Sequence, residues 1–254
     1  MRDNIHPDMS SKDKYKNDFY YIAPLYHLAF TGLDKVVFID ISDMEFTVDI
    51  KELYDEFTKL ESSPAILGIG LDLSPHYFGY LKSYIESHPG TDIGKPGKNQ
   101  GLNTGVVLYR LDKMRVNELY NSFLNKQKID YLVKKFGYPF ALAEQDFFTN
   151  LGFMFPDLFH ILPCQFNTQT SLQYLSSPFE NIFKSYHYCD RKENIKIFHL
   201  NGCGPTPAQC GGNNKSSTVY DKDHDLHFYH IEVQVFWEIM EGLYRDEMKE
   251  TQET

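Results

Sequence analysis

Apolar residues along the chain switch between two spacings. Across 18–30 (Asp-Phe-Tyr-Tyr-Ile-Ala-Pro-Leu-Tyr-His-Leu-Ala-Phe) they recur every three or four positions, the period of an amphipathic helix, with Pro24 placed to begin or kink it. Thr31-Gly32-Leu33-Asp34 then turns the chain, Gly32 being a natural helix stop. Next comes Lys35-Val36-Val37-Phe38-Ile39-Asp40-Ile41-Ser42-Asp43, an apolar run that ends in two acids. Such a run predicts a central strand covered on both faces, as in parallel sheets, with the acids at its carboxyl end where open α/β sheets bind ligands. A short helix is expected over 49–57, with Ile50, Leu53, Tyr54 and Phe57 on one face and Asp49 as its cap.

The later pattern continues the alternation. Strands are expected at 65–71, 101–109, 159–166 and 195–199, and helices at 77–87, through most of 111–136, from 141 and over 224–245. The stretch 88–101 is rich in Gly, Pro and Lys without periodicity, and 202–212 is rich in Gly and Pro; both read as loops. Neither a repeat nor a domain linker is visible. The reading is an α/β fold, with a polar arm at 1–17 and a single domain over 18–254.

Composition narrows the function. With 42% hydrophobic and 24% charged residues the chain can bury a sizeable core. A net charge of -10 without a basic stripe argues against nucleic acid as partner, since that affinity rests on Lys and Arg clusters. No run of about 18 apolar residues suggests a membrane span, and no targeting signal is visible. The cysteines Cys164, Cys189, Cys203 and Cys210 lack zinc-type spacing; one or two disulfides or quiet thiols both fit. Asn214-Lys215-Ser216 is a glycosylation sequon, usable in a luminal protein.

Polar groups meet apolar neighbours at Asp40/Asp43, Asn103/Gly105, Glu144-Gln145-Asp146 and His199-Leu200-Asn201-Gly202. Close carboxylates repel unless a cation or proton lies between them, so Asp40 and Asp43 suggest a divalent metal, or else a solvated acidic turn. A histidine after a strand is often structural, and acids that open a helix often only complement its dipole.

In their order and spacing these features resemble the metal-dependent retaining glycosyltransferases of family 8. That pattern is a strand ending in Asp-x-Asp, an Asn-x-Gly before a strand, an Asp-Gln-Asp, and a strand ending in His near a Gly/Pro loop. Within the family, 21–27, 101–106, 111–115, 144–149 and 156–160 resemble the xyloside xylosyltransferase subtype, which extends O-linked glucose-xylose on epidermal-growth-factor (EGF) repeats of Notch. The resemblance spans about 18–207. It implies a GT-A-like fold with a mixed, mainly parallel sheet flanked by helices, and Mn²⁺ with a UDP-sugar donor. Xylose would pass from UDP-xylose to a xylose- or glucose-bearing glycan on a glycoprotein such as an EGF repeat. Asp40, Asp43 and His199 would ligate the metal. Asn103, Gly105, Asn201 and Gly202 would line the donor sugar. Gln145, Glu144 and Asp146 would act at the reacting sugar, Gln145 nearest the anomeric carbon, by positioning and electrostatics.

The sequence departs from that pattern in places. A strict Asp-x-Asp would read Asp40-Ile41-Ser42, so a local bulge must bring Asp43 to the metal. Glu144 stands where Asp is usual, and the lysine used on the diphosphate after the histidine is missing, with Pro205 present instead. Family members begin with strands that build the uridine site, which 1–17 cannot supply. The expectation is therefore a GT-A domain lacking the N-terminal part of the nucleotide-binding sheet, with weak or absent transfer activity. Membrane attachment would come only from an upstream anchor, and the full-length relative would lie in the endoplasmic reticulum or Golgi lumen. The alternative is a catalytically degenerate relative that binds sugar or glycoprotein without turnover.

Overall fold

The structure is a computed structural model that describes residues 21–40, 43–138, 141–169, 171, 180–187, 189 and 195–201. The chain divides into two compact units, 1–210 and 211–254, and every described residue lies in the first. The helix expected over 224–245, Gly202, Cys203, Cys210 and the sequon lie outside the described residues.

Seven strands form two sheets among the described residues. They are β1 (Lys35–Ile39), β2 (Met44–Phe46), β3 (Leu67–Leu71), β4 (Leu102–Arg110), β5 (Phe159–Ile161), β6 (Thr168–Gln169) and β7 (Ile197–His199). The larger sheet has the order β1-β4-β3-β5 and the smaller β2-β7-β6. The helices are α1 (Tyr26–Ala29), α2 (Ile50–Asp55), α3 (Phe57–Glu61), α4 (His76–Tyr80), α5 (Lys82–Ser87), α6 (Leu111–Val116), α7 (Glu118–Ser122), α8 (Lys126–Phe136), α9 (Glu144–Met154) and α10 (Glu180–Tyr186).

The mixed, helix-flanked architecture is the expected one, with a different balance of pairings. Among the described strands β1-β4, β3-β4 and β2-β7 are antiparallel, while β3-β5 and β6-β7 are parallel. The central position expected for β1 belongs to β4, whose nine residues are all buried. β1 lies at the edge of the described sheet and is half-buried throughout, because only β4 pairs with it. An apolar run reports strand formation but not the number of neighbours.

β4 organises the core by its two-residue period. Val107 and Tyr109 face one cluster with Tyr26, Phe147, Phe148 and Leu151; Val106 and Leu108 face another with Leu53, Phe57, Phe166 and Ile197. Several expected elements prove shorter. The 49–57 helix breaks at Glu56 into α2 and α3, with Asp49 accepting from the Lys51 N–H at 2.8 Å as its cap. The 159–166 strand ends at Ile161, and a 3-10 turn, Cys164–Phe166, follows Pro163.

One irregularity shapes the site. Along β3 and β4 the register runs Ile69↔Val107 and then Gly70↔Asn103, so 104–106 bulge away from β3. This frees backbone N–H groups at the carboxyl end of β3, where side chains can reach them.

Candidate functional site

The expected metal end is assembled where the two sheets meet. β1 delivers Asp40, whose N–H donates to the Gly105 carbonyl at 2.9 Å and whose side chain is exposed. Pairing of Met44 with His199 in β2-β7 sets Asp43 beside the histidine, and the Leu200 N–H donates to the Asp43 carbonyl at 2.8 Å. His199 Nε2 lies 3.6 Å from Asp43 Oδ1, longer than a hydrogen bond, and that oxygen is buried without a hydrogen-bond partner. His199 is buried, and its Nδ1 lies 2.9 Å from Asn167 Oδ1.

Gly105 makes room for this arrangement. A Cβ built there would lie 2.5 Å from His199 Cε1 and 2.6 Å from Met44 Cε, so the imidazole fills the space a side chain would take. Among the described residues no three His, Cys, Asp or Glu side chains converge on one point able to hold a metal. The structure therefore brings together Asp43 and His199, and Asp40 does not complete a set of three. The pair still suits a borderline cation: an unsatisfied carboxylate oxygen faces an imidazole nitrogen in a buried setting.

The expected sugar end lies around the first turn of α9. Ala143, the residue before the helix, has φ 52° and ψ −120°, a strained backbone for a residue with a Cβ, and the helix it opens begins with Glu144 and the buried Gln145 and Asp146. Gln145 accepts from the freed Thr104 N–H at 3.2 Å and donates to the Tyr77 hydroxyl at 3.3 Å. Asp146 accepts from the Tyr77 O–H at 2.7 Å and from the Leu142 N–H at 2.6 Å. Asn103 accepts from the Gly105 N–H at 3.0 Å and from Asn167 at 2.9 Å, which links the sugar end to His199.

Burial dominates the electrostatics. It pushes Glu144 up to about 8, with Asp146 and Asp40 adding repulsion, and Glu144 Oε2 is buried without a hydrogen-bond partner. Burial also raises Asp146 to about 7, against the Leu142 and Tyr77 donors that favour its charged form. Asp72, at the carboxyl end of β3, is buried and likewise raised to about 7, in part by Asp146; its carboxylate accepts from Ser74 N–H and O–H. Burial thus raises the proton affinity of all three carboxyl groups well above the usual carboxylate range.

Asn201 is occupied differently. Its side chain bonds the backbone and hydroxyl of Ser171, at 3.0 Å and 3.3 Å, and so braces the chain after β6. Sequence reasoning missed Asp72, Tyr77 and Asn167. Asp72 follows an apolar strand just as Asp40 does, so the same signal marks it; a single Tyr or Asn carries no such signal. Cys164 and Cys189 form a disulfide with Cα atoms 5.6 Å apart, which ties the first residue of the Cys164–Asn167 turn to Cys189. A separate cavity of about 300 Å³ lies among Leu71, Leu102, Thr149, Phe153 and Phe159, and none of the expected site residues lines it.

No protein-family model matches the chain. It is 27% identical over 219 residues to xyloside xylosyltransferase 1 of Mus musculus, covering 82% of this chain and 55% of the relative. The Homo sapiens protein of that name is 29% identical over 196 residues, covering 76% and 49%. The crystal structure of the mouse protein in its apo form superposes with a TM-score of 0.69 at 27% identity, covering 74% of this chain and 65% of that one. The galactosyltransferase LgtC, in complex with donor and acceptor sugar analogs, matches with a TM-score of 0.50 at 16% identity over 84% and 68%, a likeness of fold alone. The chain spans about half the length of the curated relatives it matches. It has a GT-A glycosyltransferase fold and is similar to xyloside xylosyltransferase 1, in keeping with the resemblance seen in its sequence.

Proposed function

We propose that the chain carries the donor site of a metal-dependent retaining glycosyltransferase that moves xylose from UDP-xylose to a xylose- or glucose-bearing O-glycan, such as one on an EGF repeat. The observation that carries this reading is the pairing of a buried, unsatisfied Asp43 oxygen with His199, tied through Asn167 to Asn103. The curated relatives act, by name, as xylosyltransferases on a xyloside.

Asp43 and His199, with Asp40 at the strand end, would hold Mn²⁺, which supplies positive charge for the donor's diphosphate. Asn103 and Gln145 orient the transferred sugar, and Tyr77 fixes Gln145 and Asp146 against each other. Glu144, pushed up to about 8 by burial, offers its unsatisfied oxygen to a sugar hydroxyl. The roles assigned are positioning and electrostatics, with no covalent nucleophile. The disulfide Cys164–Cys189 suits the oxidising lumen of the secretory pathway.

A second reading, a relative that binds sugar or glycoprotein without turnover, is favoured by the exposed Asp40 and by the lack of a three-ligand cluster among the described residues. The test incubates the full chain with Mn²⁺, a xyloside acceptor and UDP-xylose, UDP-glucose or UDP-galactose, with products followed by mass spectrometry. The account expects slow transfer from UDP-xylose with retained configuration. Absence of product, with or without donor binding, supports the second reading and contradicts the first, and absence of binding to donor, xyloside and glycoprotein alike contradicts both.

A further inference from the structure

We propose that Asn167 is a positioning residue that holds His199 as the tautomer with a bare Nε2 facing Asp43, and joins this histidine to Asn103. The inference deepens the reading of Asp43 and His199 as the metal end, and rests on it for the purpose of the arrangement. Its geometry stands without it.

The argument starts from a backbone donor. The Gly105 N–H can only donate, so the Asn103 atom 3.0 Å from it is the carbonyl oxygen Oδ1. Asn167 reaches that same oxygen at 2.9 Å and must present its NH₂ group there. The planar amide is thereby turned so that its own oxygen faces His199 Nδ1, at 2.9 Å. An amide oxygen only accepts, so Nδ1 carries the hydrogen and the neutral ring leaves its lone pair on Nε2. That lone pair points toward Asp43 Oδ1 at 3.6 Å. Two acceptors facing each other across such a gap repel unless a cation or proton lies between them.

The surroundings hold the amide in place. Asn167 is 1% exposed, and its N–H donates to the Cys164 carbonyl at 3.0 Å, closing a turn whose first residue the Cys164–Cys189 disulfide anchors. A Cβ on Gly70 would lie 3.2 Å from Asn167 Nδ2, and one on Gly105 would collide with His199. Both partners of this hydrogen bond thus sit over glycines. Metal-bound histidines commonly have their second nitrogen fixed by such a hydrogen bond, which sets tautomer and ring orientation.

Long-range ¹H–¹⁵N correlation spectra of the metal-free full chain report the His199 tautomer directly. Wild type is expected to show hydrogen on Nδ1, and Asn167→Ala a mixture of tautomers. Asn167→Asp, which keeps an acceptor for Nδ1 and loses the donor to Asn103, restores the wild-type tautomer. Calorimetry with Mn²⁺ alone is expected to show affinity falling about 10–100-fold in Asn167→Ala and less in Asn167→Asp. If Asn167→Ala does not fold, as judged by circular dichroism, Asn167→Ser, too short to reach Nδ1, carries the same readout. A wild-type His199 with hydrogen on Nε2, or an unchanged tautomer in the Ala or Ser variant, overturns the proposal. Tautomer changes as described in a wild-type chain that binds no Mn²⁺ uphold the positioning role and defeat the metal reading instead.

Discussion

Gly105 and His199 share one volume: a Cβ on the glycine would lie 2.5 Å from Cε1 of the imidazole and 2.6 Å from its Nδ1. Gly105→Ala is therefore expected to push His199 off Asp43 and Asn167, at a cost of about 1–3 kcal/mol in stability. Chemical denaturation and Mn²⁺ calorimetry check this together. The metal affinity should fall further than that of a Gly32→Ala control, whose added Cβ meets nothing within 4 Å.

Tyr77 donates to Asp146 and accepts from Gln145, and its ring packs over Gly101, where a Cβ would lie 2.1 Å from Tyr77 Cδ2. Tyr77→Phe keeps the ring and removes the hydroxyl. Its expected effect is a loss of about tenfold or more in kcat with KM for the donor little changed, because Gln145 and Asp146 lose alignment rather than sugar contacts. Steady-state kinetics with UDP-xylose separate the two constants.

Asp72 and Asp146 are raised by burial from 3.8 to about 7, and Glu144 from 4.5 to about 8. Between those limits the folded state binds more protons than the unfolded chain, so stability falls as pH rises. The contribution of these three groups is fully present below about 4, is lost through the window to about 8, and then levels. Thermal melts without metal should show Tm dropping from pH 5 to pH 8. Asp72→Asn, which can still accept from Ser74, should flatten part of that slope and raise Tm at pH 8.

The Cys164–Cys189 disulfide spans 25 residues and braces the turn that carries Asn167. Replacing both cysteines by serine is expected to lower stability by about 2–4 kcal/mol. Because Asn167 then loses its support, Mn²⁺ affinity should fall as well, which a purely global staple would not cause under conditions where the variant is fully folded. Calorimetry below the melting transition distinguishes the two.

The parts of the site that the sequence made legible are those where chemistry and pattern coincide. The apolar stretch through Val106–Val107–Leu108 announced a buried strand, and the acids of 144–146 stood at the start of a helix. The edge position of β1 was not legible, because a run such as Val36-Val37-Phe38 reads the same with one neighbour or two. Gly105 signalled a close approach, yet nothing local told that the approaching group is His199, 94 residues onward. Asn167 and Tyr77 were invisible for a related reason: their roles come from hydrogen bonds across 32 and 69 positions of chain, which no periodicity records.

The central claim is that Asp43 and His199 form the metal end of a sugar-nucleotide site. Its most direct measurement is calorimetric titration of Mn²⁺, with and without UDP, into wild type, Asp43→Asn and His199→Ala. The account predicts one site per chain, tightened by UDP, with affinity reduced tenfold or more in each variant. Absence of Mn²⁺ binding in wild type, or equal binding in all three proteins, would contradict it.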